Sequence, residues 1–345
     1  MSTSSAVERP LPGRVGRGLG VAVVFNLHAR KVTFAAVEQV ARALPDAALV
    51  VTRSVADCER EVVGLAARRE PVRLLLSAGG DGAVAVLIGA WRRTGHPLPP
   101  LGLLPLGTGN AWAHATHAPR LDRLLEALPR LRYPLPTRRF ALLEAGGRLC
   151  QFAGTGWDAT LLDDYQRHQE RFPTRWLPAP LREGIAGYLA AGLSHTVPES
   201  FLRKRPEARV TTDQRFFTIG PHEELLDQPP GVVWDGPYSV LAMGTTTQFG
   251  FRFEAFPFAG EVPGTFNLRV YDRPMWRALP DLPRLWRGAH PLPGMHDFFV
   301  ESAHVTVHPP MPFQVAGDTL GERHELDVRL AKQTVDVVDW SGAAR

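Results

Sequence analysis

The chain has 345 residues, of which 44% are hydrophobic and 21% are charged, as in ordinary globular proteins. Two cysteines are too few for a disulfide framework or for a zinc site of their own. No apolar run reaches the ~18 residues of a membrane span, and residues 1–18 lack the apolar core of a signal peptide, which predicts a disordered basic tail. We therefore expect a cytoplasmic protein with room for two domains, since one domain takes roughly 150 residues.

The balance of charges is basic. The formal net charge is +4 and the sequence pI is near 9.4, which suits an anionic partner such as nucleotide phosphates or acidic lipid headgroups. An arginine-rich composition without functional meaning is an equally open interpretation. No aromatic RNA-binding motif accompanies the charge, so we expect no nucleic acid partner.

The N-terminal part of the chain alternates predicted strands with predicted helices. Residues 21–25 form an apolar run that predicts a buried strand ending at Asn26. Thr33 is a suitable N-cap for the helix that follows, and residues 49–52 predict the next strand. A second helix must end before Pro71. This alternation predicts a doubly wound parallel sheet.

Two glycine-rich turns follow, each between a predicted strand and a predicted helix. The first is Gly79-Gly80-Asp81-Gly82 and the second is Gly107-Thr108-Gly109-Asn110. Glycine tolerates positive φ and lets backbone N–H groups approach an anion without a Cβ in the way. A helix N-terminus behind each turn adds partial positive charge. We predict that both turns line one phosphate site, with Asp81 placed to meet Mg²⁺-phosphate or a substrate hydroxyl.

The pattern changes after the first third of the chain. An amphipathic helix over residues 120–132 completes an α/β domain that we place at residues 19–139. Residues 140–330 consist of short apolar stretches between glycines and prolines, which predicts an antiparallel β-sandwich. The predicted fold class is therefore an N-terminal doubly wound α/β nucleotide-binding domain followed by a β-sandwich domain, with residues 331–345 as a C-terminal segment.

The two glycine turns in this order resemble the diacylglycerol kinase catalytic-domain family, which includes bacterial lipid kinases, sphingosine kinases and ceramide kinase. Gly79-Gly80-Asp81-Gly82 alone is also similar to NAD kinases, whereas Pro105-Leu106-Gly107-Thr108-Gly109-Asn110 is not a feature of NAD kinases. The resemblance covers nearly the whole chain after the tail. It implies a nucleotide domain, a β-rich lipid-substrate domain and a C-terminal segment that returns toward the first domain.

The resemblance implies a kinase that uses ATP and Mg²⁺ to phosphorylate a lipid hydroxyl, with diacylglycerol or a long-chain relative as acceptor. Asp81 would be the catalytic residue, either accepting the proton of the hydroxyl or binding the Mg²⁺ of the nucleotide. No metal ligands are assigned beyond this. The nucleotide-binding positions that the resemblance implies are Asn26, Thr52, Gly79, Gly80, Asp81, Gly82, Gly107, Thr108, Gly109 and Asn110.

The chain departs from the family pattern in its nucleotide domain. The turn after Asn26 reads Leu27-His28-Ala29-Arg30 where the family has Pro-x-Ser-Gly, so that charge from Arg30 or Lys31 would have to replace the missing backbone approach. Ala111 stands where the family has an aspartate after the second turn.

The second domain departs from the pattern as well. Pro263 aligns with an aspartate proposed as the general base in bacterial members, and Ala316 and Asp318 stand where the family has the Asp and Glu of an Asp-Gly-Glu turn. Either Asp81 or another carboxylate, such as Glu261 or Asp318, would then serve as the base, or the transfer would be slow or absent.

Two further segments of the second domain have predicted roles outside the glycine turns. Asp158, in a Gly-x-Gly-x-Asp-Ala element similar to the family's, is expected to cap the next helix. Residues 167–182 interleave arginines with aromatic side chains, and Arg203-Lys204-Arg205 adds a basic run, which suits transient contact with an anionic membrane surface on the inner face. A solvated helix face is the alternative.

Two other functions remain open. The lost polar and acidic positions allow a catalytically impaired nucleotide- or lipid-binding protein of the same fold, and the first motif allows an NAD kinase. The oligomeric state is not predicted.

Overall fold

The computed structural model describes residues 13–15, 20–29, 31–163, 205–220, 224–250, 252–278 and 280–341. The predicted tail up to residue 12, Arg30, the basic and aromatic segment 167–182 and residues 203–204 lie outside this part of the chain.

The first half of the described chain alternates strands and helices. Its elements in chain order are β1 (Gly13–Arg14), β2 (Val21–Asn26), α1 (Phe34–Ala43), β3 (Ala48–Thr52), α2 (Val55–Ala66), β4 (Leu74–Gly79), α3 (Asp81–Arg93), β5 (Leu101–Pro105), α4 (Ala111–Ala115), α5 (Leu121–Ala127), β6 (Arg132–Tyr133), β7 (Thr137–Ala145), β8 (Arg148–Cys150) and β9 (Phe152–Gly156).

A parallel sheet with strand order β3-β2-β4-β5 forms the centre of this half. Strand β4 is buried along its whole length and β2 along nearly all of it, because their side chains are almost entirely apolar. The side chain of Thr33 accepts a hydrogen bond from the amide of Ala36 and so caps α1, as predicted. The register places Asn26 beside Thr52 and Gly79 beside Pro105, so that the carboxyl ends of four strands meet at one edge.

The second half of the described chain is rich in strands. Its elements are α6 (residues 157–163), β10 (Glu207–Thr212), β11 (Phe216–Ile219), β12 (Leu225–Gln228), β13 (Gly231–Pro237), β14 (Val240–Gly244), β15 (Phe266–Tyr271), α7 (Leu282–Trp286), β16 (Met295–Val300), β17 (Ser302–Val315) and β18 (Asp318–Val338).

One hydrogen-bonded path runs through both halves, in the order β12-β11-β16-β15-β14-β9-β17-β18-β5-β4-β2-β3. Strand β18 joins the two halves, since it pairs antiparallel with β17 and β7 and parallel with β5 through Val337 and Leu101. The C-terminal strand thus lies against the first domain.

Strands β7 and β18 run across the predicted boundaries at residues 139 and 330 and contribute to two cores. Phe140 and Val335 pack with helices α2 and α3, whereas Leu143 and Val328 pack with the inward side chains of β10 and β14 to β17. The boundaries therefore remain an approximate prediction. The predicted fold class is confirmed: an α/β domain precedes a strand-rich region, and the sheet is mixed.

Among the described residues, no helix is both long and apolar enough to cross a bilayer.

Candidate functional site

The two glycine turns lie against each other at the carboxyl edge of the parallel sheet. A Cβ built on Gly107 would lie 2.2 Å from Cα of Gly80, and one built on Gly80 would lie 3.3 Å from Cα of Gly107. Real Cβ atoms do not approach this closely, so the two backbones touch only because both residues are glycine. This contact brings together the two turns that the sequence predicts to line one phosphate site.

The prediction that these glycines serve a positive φ is wrong. None of the glycines at positions 79, 80, 82, 107 and 109 has a positive φ. The left-handed residue is Asn110, with φ 52° and ψ 44°, a conformation that asparagine adopts more readily than most residues. Close packing, and not a left-handed backbone, explains why these turns need glycine.

Asn110 holds the second turn closed through its side chain. Its Nδ2 donates to the carbonyl of Gly107 at 3.0 Å, and its Oδ1 accepts from the amide of Gly107 at 3.1 Å. Its left-handed backbone directs the chain into α4. The amide side chain is therefore used within the turn, and Asn110 shapes the site through the backbone.

Asp81 links the first turn to the second. It is only 9% exposed, and its two carboxylate oxygens accept hydrogen bonds from the amides of Ala111 at 3.0 Å and Trp112 at 3.1 Å. Asp81 is the first residue of α3 but caps the N-terminus of α4. Burial raises the pKa of Asp81 to about 6, although hydrogen bonds from the backbone of Ala111 and Trp112 lower it.

Unpaired backbone donors lie beside this link. Thr108 is exposed at the tip of the second turn, and within the described chain neither its amide nor that of Gly109 donates to a protein acceptor. Helix α3 starts at Asp81 without a side-chain hydrogen bond from its N-cap, Gly80. Unpaired amides near the N-terminus of α3, a helix of thirteen residues, can bind the oxygens of a phosphate.

Positive charge adjoins the second turn. The amide of Lys31 donates to the carbonyl of Leu106. Burial lowers the pKa of His114 on α4, and the nearby charges of Arg252 and Lys31 lower it further. Arg252, which sequence reasoning missed, has a left-handed backbone and lies in a loop of the second domain. Both cations therefore lie near His114, in the helix that follows the second turn.

The turn after β2 and the last residue of β3, Thr52, also lie at the carboxyl edge of the parallel sheet. Asn26 accepts a hydrogen bond from the amide of His28, and its Cβ lies 3.5 Å from a Cβ built on Gly79. The hydroxyl of Thr52 donates to the carbonyl of Phe25 at 2.9 Å and is buried. The structure brings both predicted residues to the edge, but it commits the Thr52 hydroxyl to the sheet.

Asp318 is brought to the N-terminus of α3 by the start of β18. A Cβ built on Gly82 would lie 2.8 Å from Oδ2 of Asp318, so that the carboxylate lies over the first turn of the helix. Arg148 lies 3.3 Å from the same oxygen. Burial raises the pKa of Asp318, and the charge of Arg148 lowers it in part. Sequence alone offered Asp318 as one alternative base; its place beside Gly82 could not be read from spacing.

The other carboxylates considered from sequence lie elsewhere. Glu261 and Pro263 are exposed in the loop before β15 and have no described contact with either turn. Asp158 lies in the first turn of α6 and is hydrogen-bonded to Gln314. Burial raises the pKa of Asp158 to about 7. No group of three metal-ligating side chains occurs in the part of the chain that the structure describes.

The second domain reaches the second turn through one loop. A Cβ built on Gly250 would lie 3.4 Å from Cα of Gly109. Beside this contact, the rings of Phe249 and Phe152 lie 4.5 Å apart and pack with Phe256 and with Ala111 of α4. The second domain thus places a packed aromatic cluster, with Phe152 and Phe256 buried, next to the second glycine turn.

Residues 21–134 match the model of the diacylglycerol kinase catalytic domain, and this stretch contains both glycine turns. This stretch is similar to the catalytic domain of that family. The predicted resemblance to diacylglycerol kinases is thereby confirmed.

Solved structures share the fold of the whole chain. A diacylglycerol kinase from Bacillus anthracis str. Sterne aligns with 94% of this chain and 98% of its own, at 14% identity and a TM-score of 0.59. A candidate diacylglycerol kinase from the same strain aligns with 94% of this chain and 97% of its own, at 15% identity and a TM-score of 0.62. No curated protein matches the chain at a significant level. The similarity to the solved diacylglycerol kinases extends through the strand-rich region, beyond the residues of the family match.

Proposed function

We propose that this protein transfers the γ-phosphate of ATP to the hydroxyl of a lipid, with diacylglycerol or a long-chain relative as acceptor. The proposal rests on one observation above all. Two glycine turns touch at the carboxyl edge of the parallel sheet, and the exposed one presents amides of Thr108 and Gly109 that have no acceptor among the described residues. In open α/β sheets this edge is where ligands bind.

The triphosphate would lie across the two turns. The amides of Thr108 and Gly109 and the start of α3 would donate to its oxygens, and Lys31 and Arg252 would balance its charge. The site offers carboxylates at Asp81 and Asp318, which suit Mg²⁺. Bound with the nucleotide, Mg²⁺ would neutralise charge on the transferred phosphoryl group.

Asp81 has two tasks in this proposal. It fixes the second turn against the first by accepting the amides of Ala111 and Trp112. Each carboxylate oxygen has a second lone pair, which leaves room for a hydrogen bond from the acceptor hydroxyl or for a contact to Mg²⁺. Asp318, at the N-terminus of α3, is a second carboxylate that would accept this hydrogen bond or bind Mg²⁺.

The acceptor would approach from the second domain. The half-buried rings of Phe249 and Phe253 pack on the aromatic cluster beside Ala111 at the start of α4, so an acyl chain could contact these two rings while the hydroxyl points to the glycine turns. The reducing cytoplasm, where ATP is available and the inner leaflet is accessible, remains the predicted location.

The test is a transfer assay with radiolabelled ATP, Mg²⁺ and extracted membrane lipids, followed by identification of the labelled product. We expect a labelled lipid with the wild type, none with Asp81→Asn, and wild-type labelling with Asp122→Asn, an exposed aspartate of α5. Circular dichroism would confirm that both variants fold. Wild-type labelling by Asp81→Asn would remove Asp81 from the mechanism.

A second candidate function is nucleotide or lipid binding without catalysis. One observation favours it: both oxygens of Asp81 already accept backbone amides, and the family's acids are replaced at Ala111, Pro263 and Ala316. Calorimetry that shows ATP binding, together with no labelled product from any lipid or from NAD, would select this function. Labelled NADP would select an NAD kinase instead.

A further inference from the structure

Strand β3 forms one end of the hydrogen-bonded path through the sheet. It pairs in parallel with β2, and no other described strand lies on its second side. The backbone N–H and C=O groups on that second side therefore lack a strand partner in the part of the chain that the structure describes. Such an edge can accept a further strand from another chain.

The side chains of β3 make this edge apolar as well. Leu49 pairs with Val23 and Val51 pairs with Phe25, so these four side chains share one face of the sheet. Val23 and Phe25 are fully buried and pack in one cluster with α1, whereas Leu49 is 37% exposed and Val51 is 45% exposed. Burial on this face therefore ends at the last strand.

The strand carries none of the features that usually protect a free edge. Its sequence, Ala48-Leu49-Val50-Val51-Thr52, has no charge and no proline, and its register with β2 has no bulge. Strand β12, at the opposite end of the path, differs because its Asp227 is paired with Arg215. Of these two end strands, β3 is the one whose residues suit a further strand.

The strand is complementary to a second copy of itself. A two-fold axis perpendicular to the sheet through Val50 would pair the two strands antiparallel and place Leu49 of each copy opposite Val51 of the other. The same axis brings the end of each strand that carries Asp46 to the end that carries Arg53, two exposed residues of opposite charge. Apolar side chains would thus meet at the centre and opposite charges at both ends.

Two copies of α1 fit above this pairing. Helix α1 packs in the cluster of Val23 and Phe25, which places it over β2 on this face. In the pair, the two β2 strands would lie three strand spacings apart, about 14 Å, and a helix with its side chains is about 10 Å wide. The two helices would therefore flank Leu49 and Val51 of both copies without collision.

We propose that β3 pairs with β3 of a second copy of this chain, so that one sheet continues through a symmetric dimer. This inference goes beyond the proposed function, because the association requires neither nucleotide nor lipid. The antiparallel pairing would direct the carboxyl edges of the two parallel sheets to opposite ends of the dimer. Each candidate site would then stay open to its own ligands.

The experiment is sedimentation equilibrium of the full chain over a range of concentrations, without nucleotide or lipid. We expect the wild type to show a monomer–dimer equilibrium and Leu49→Lys/Val51→Lys to dimerise about 100-fold more weakly, because four lysines would meet across the axis. The matched control is Leu225→Lys/Leu226→Lys, exposed leucines of β12, which should dimerise like the wild type. Circular dichroism would confirm that both variants fold.

A charge reversal tests the antiparallel pairing without touching an apolar side chain. Asp46→Arg should weaken the dimer about tenfold at low salt, because it turns two attractions into repulsions. Asp46→Arg/Arg53→Asp should restore the wild-type equilibrium, and high salt should remove the difference between the variants. A loss caused by altered folding would not be restored in this way.

The following outcomes would overturn the inference. The first is a wild type that stays monomeric at every concentration, and the second is a Leu49→Lys/Val51→Lys variant that dimerises like the wild type. The third is an equal loss in the Leu225→Lys/Leu226→Lys control, which would place the contact at the other end of the sheet. A double charge reversal as weak as Asp46→Arg would contradict the antiparallel pairing.

Discussion

The amide of Trp112 donates to the carboxylate of Asp81 across 3.1 Å, although the two residues belong to different turns and different helices. With the neighbouring bond from Ala111, this contact sets the position of the second glycine turn relative to the first. One buried acid thus fixes the geometry that we propose for triphosphate binding. The same carboxylate is the residue that the proposal places nearest the chemistry.

The contact between Gly80 and Gly107 predicts a steep cost for any side chain there. Gly107→Ala should lower the free energy of unfolding by roughly 3 kcal/mol, because its Cβ would meet backbone that has little freedom to move. Gly64→Ala, in α2 with open space around it, should raise the free energy by about 1 kcal/mol through helix propensity. Urea denaturation of both variants checks this. Equal stabilities would show that the turns do not touch as described.

The approach of Asp318 to Gly82 allows its carboxylate to be moved without being removed. A Cβ at position 82 would lie 2.8 Å from Oδ2 of Asp318, and the carboxylate can rotate away. Gly82→Ala should therefore lower kcat for lipid phosphorylation about as much as Asp318→Asn does, at nearly unchanged stability. Gly89→Ala in the same helix, with its nearest neighbour 3.7 Å away, should leave kcat unchanged. A Gly82→Ala enzyme of normal kcat would exclude Asp318 from the reaction.

The raised pKa of Asp81 predicts a pH dependence of stability. The folded value of about 6 exceeds the ordinary value of 3.8, so the folded state favours the protonated acid. Its contribution to stability is complete below the ordinary value and is lost as pH rises through about 6. Relative to Asp81→Asn, the wild type should therefore lose stability across this interval. Parallel pH profiles of the two proteins in denaturant unfolding would contradict the shift.

Enzyme activity, in contrast to stability, should increase as pH rises through the same interval. If ionised Asp81 accepts the hydroxyl proton or binds Mg²⁺, kcat/KM should fall as pH drops below about 6. The kcat/KM profile for lipid phosphorylation measures this apparent pKa. A profile that stays flat down to the ordinary value of an aspartate would mean that protonation of Asp81 does not limit the reaction.

A buried ion pair supports the strand-rich region. Arg269, only 3% exposed, lies 2.8 Å from the carboxylate of Asp297, and Asn267 donates to the same acid. Asp297→Ala should cost about 3–5 kcal/mol, because it leaves the guanidinium buried without a counter-charge. Asp336→Ala removes the exposed partner of Arg139 and should change stability too little to resolve. Guanidinium denaturation compares them, and similar losses would indicate that the Arg269 pair is not buried as described.

Much of the first domain could be predicted because its signals are local. Apolar runs set β2 and β4, Thr33 caps α1 as expected, and both glycine turns lie where their strands end. Strands β12 and β13 give weaker sequence signals, because β12 has mostly exposed side chains and β13 alternates irregularly. Without a buried face, periodicity gives no signal.

The site could be predicted only in part, because its contacts are not local. Both turns follow from the sequence, but the bond from Trp112 to Asp81 depends on how the two turns pack. Asp318 and Arg252 reach the site from the second domain, and no spacing rule connects them to Gly82 or His114. The need for glycine at position 107 was expected, but its cause was a backbone neighbour and not its own φ.

The most direct test is a crystal structure with magnesium and a non-hydrolysable ATP analogue. The account predicts phosphate oxygens within hydrogen-bond distance of the amides of Thr108 and Gly109, in front of α3 and beside Asp81. A triphosphate bound elsewhere on the molecule, with the two glycine turns free of ligand, would contradict it.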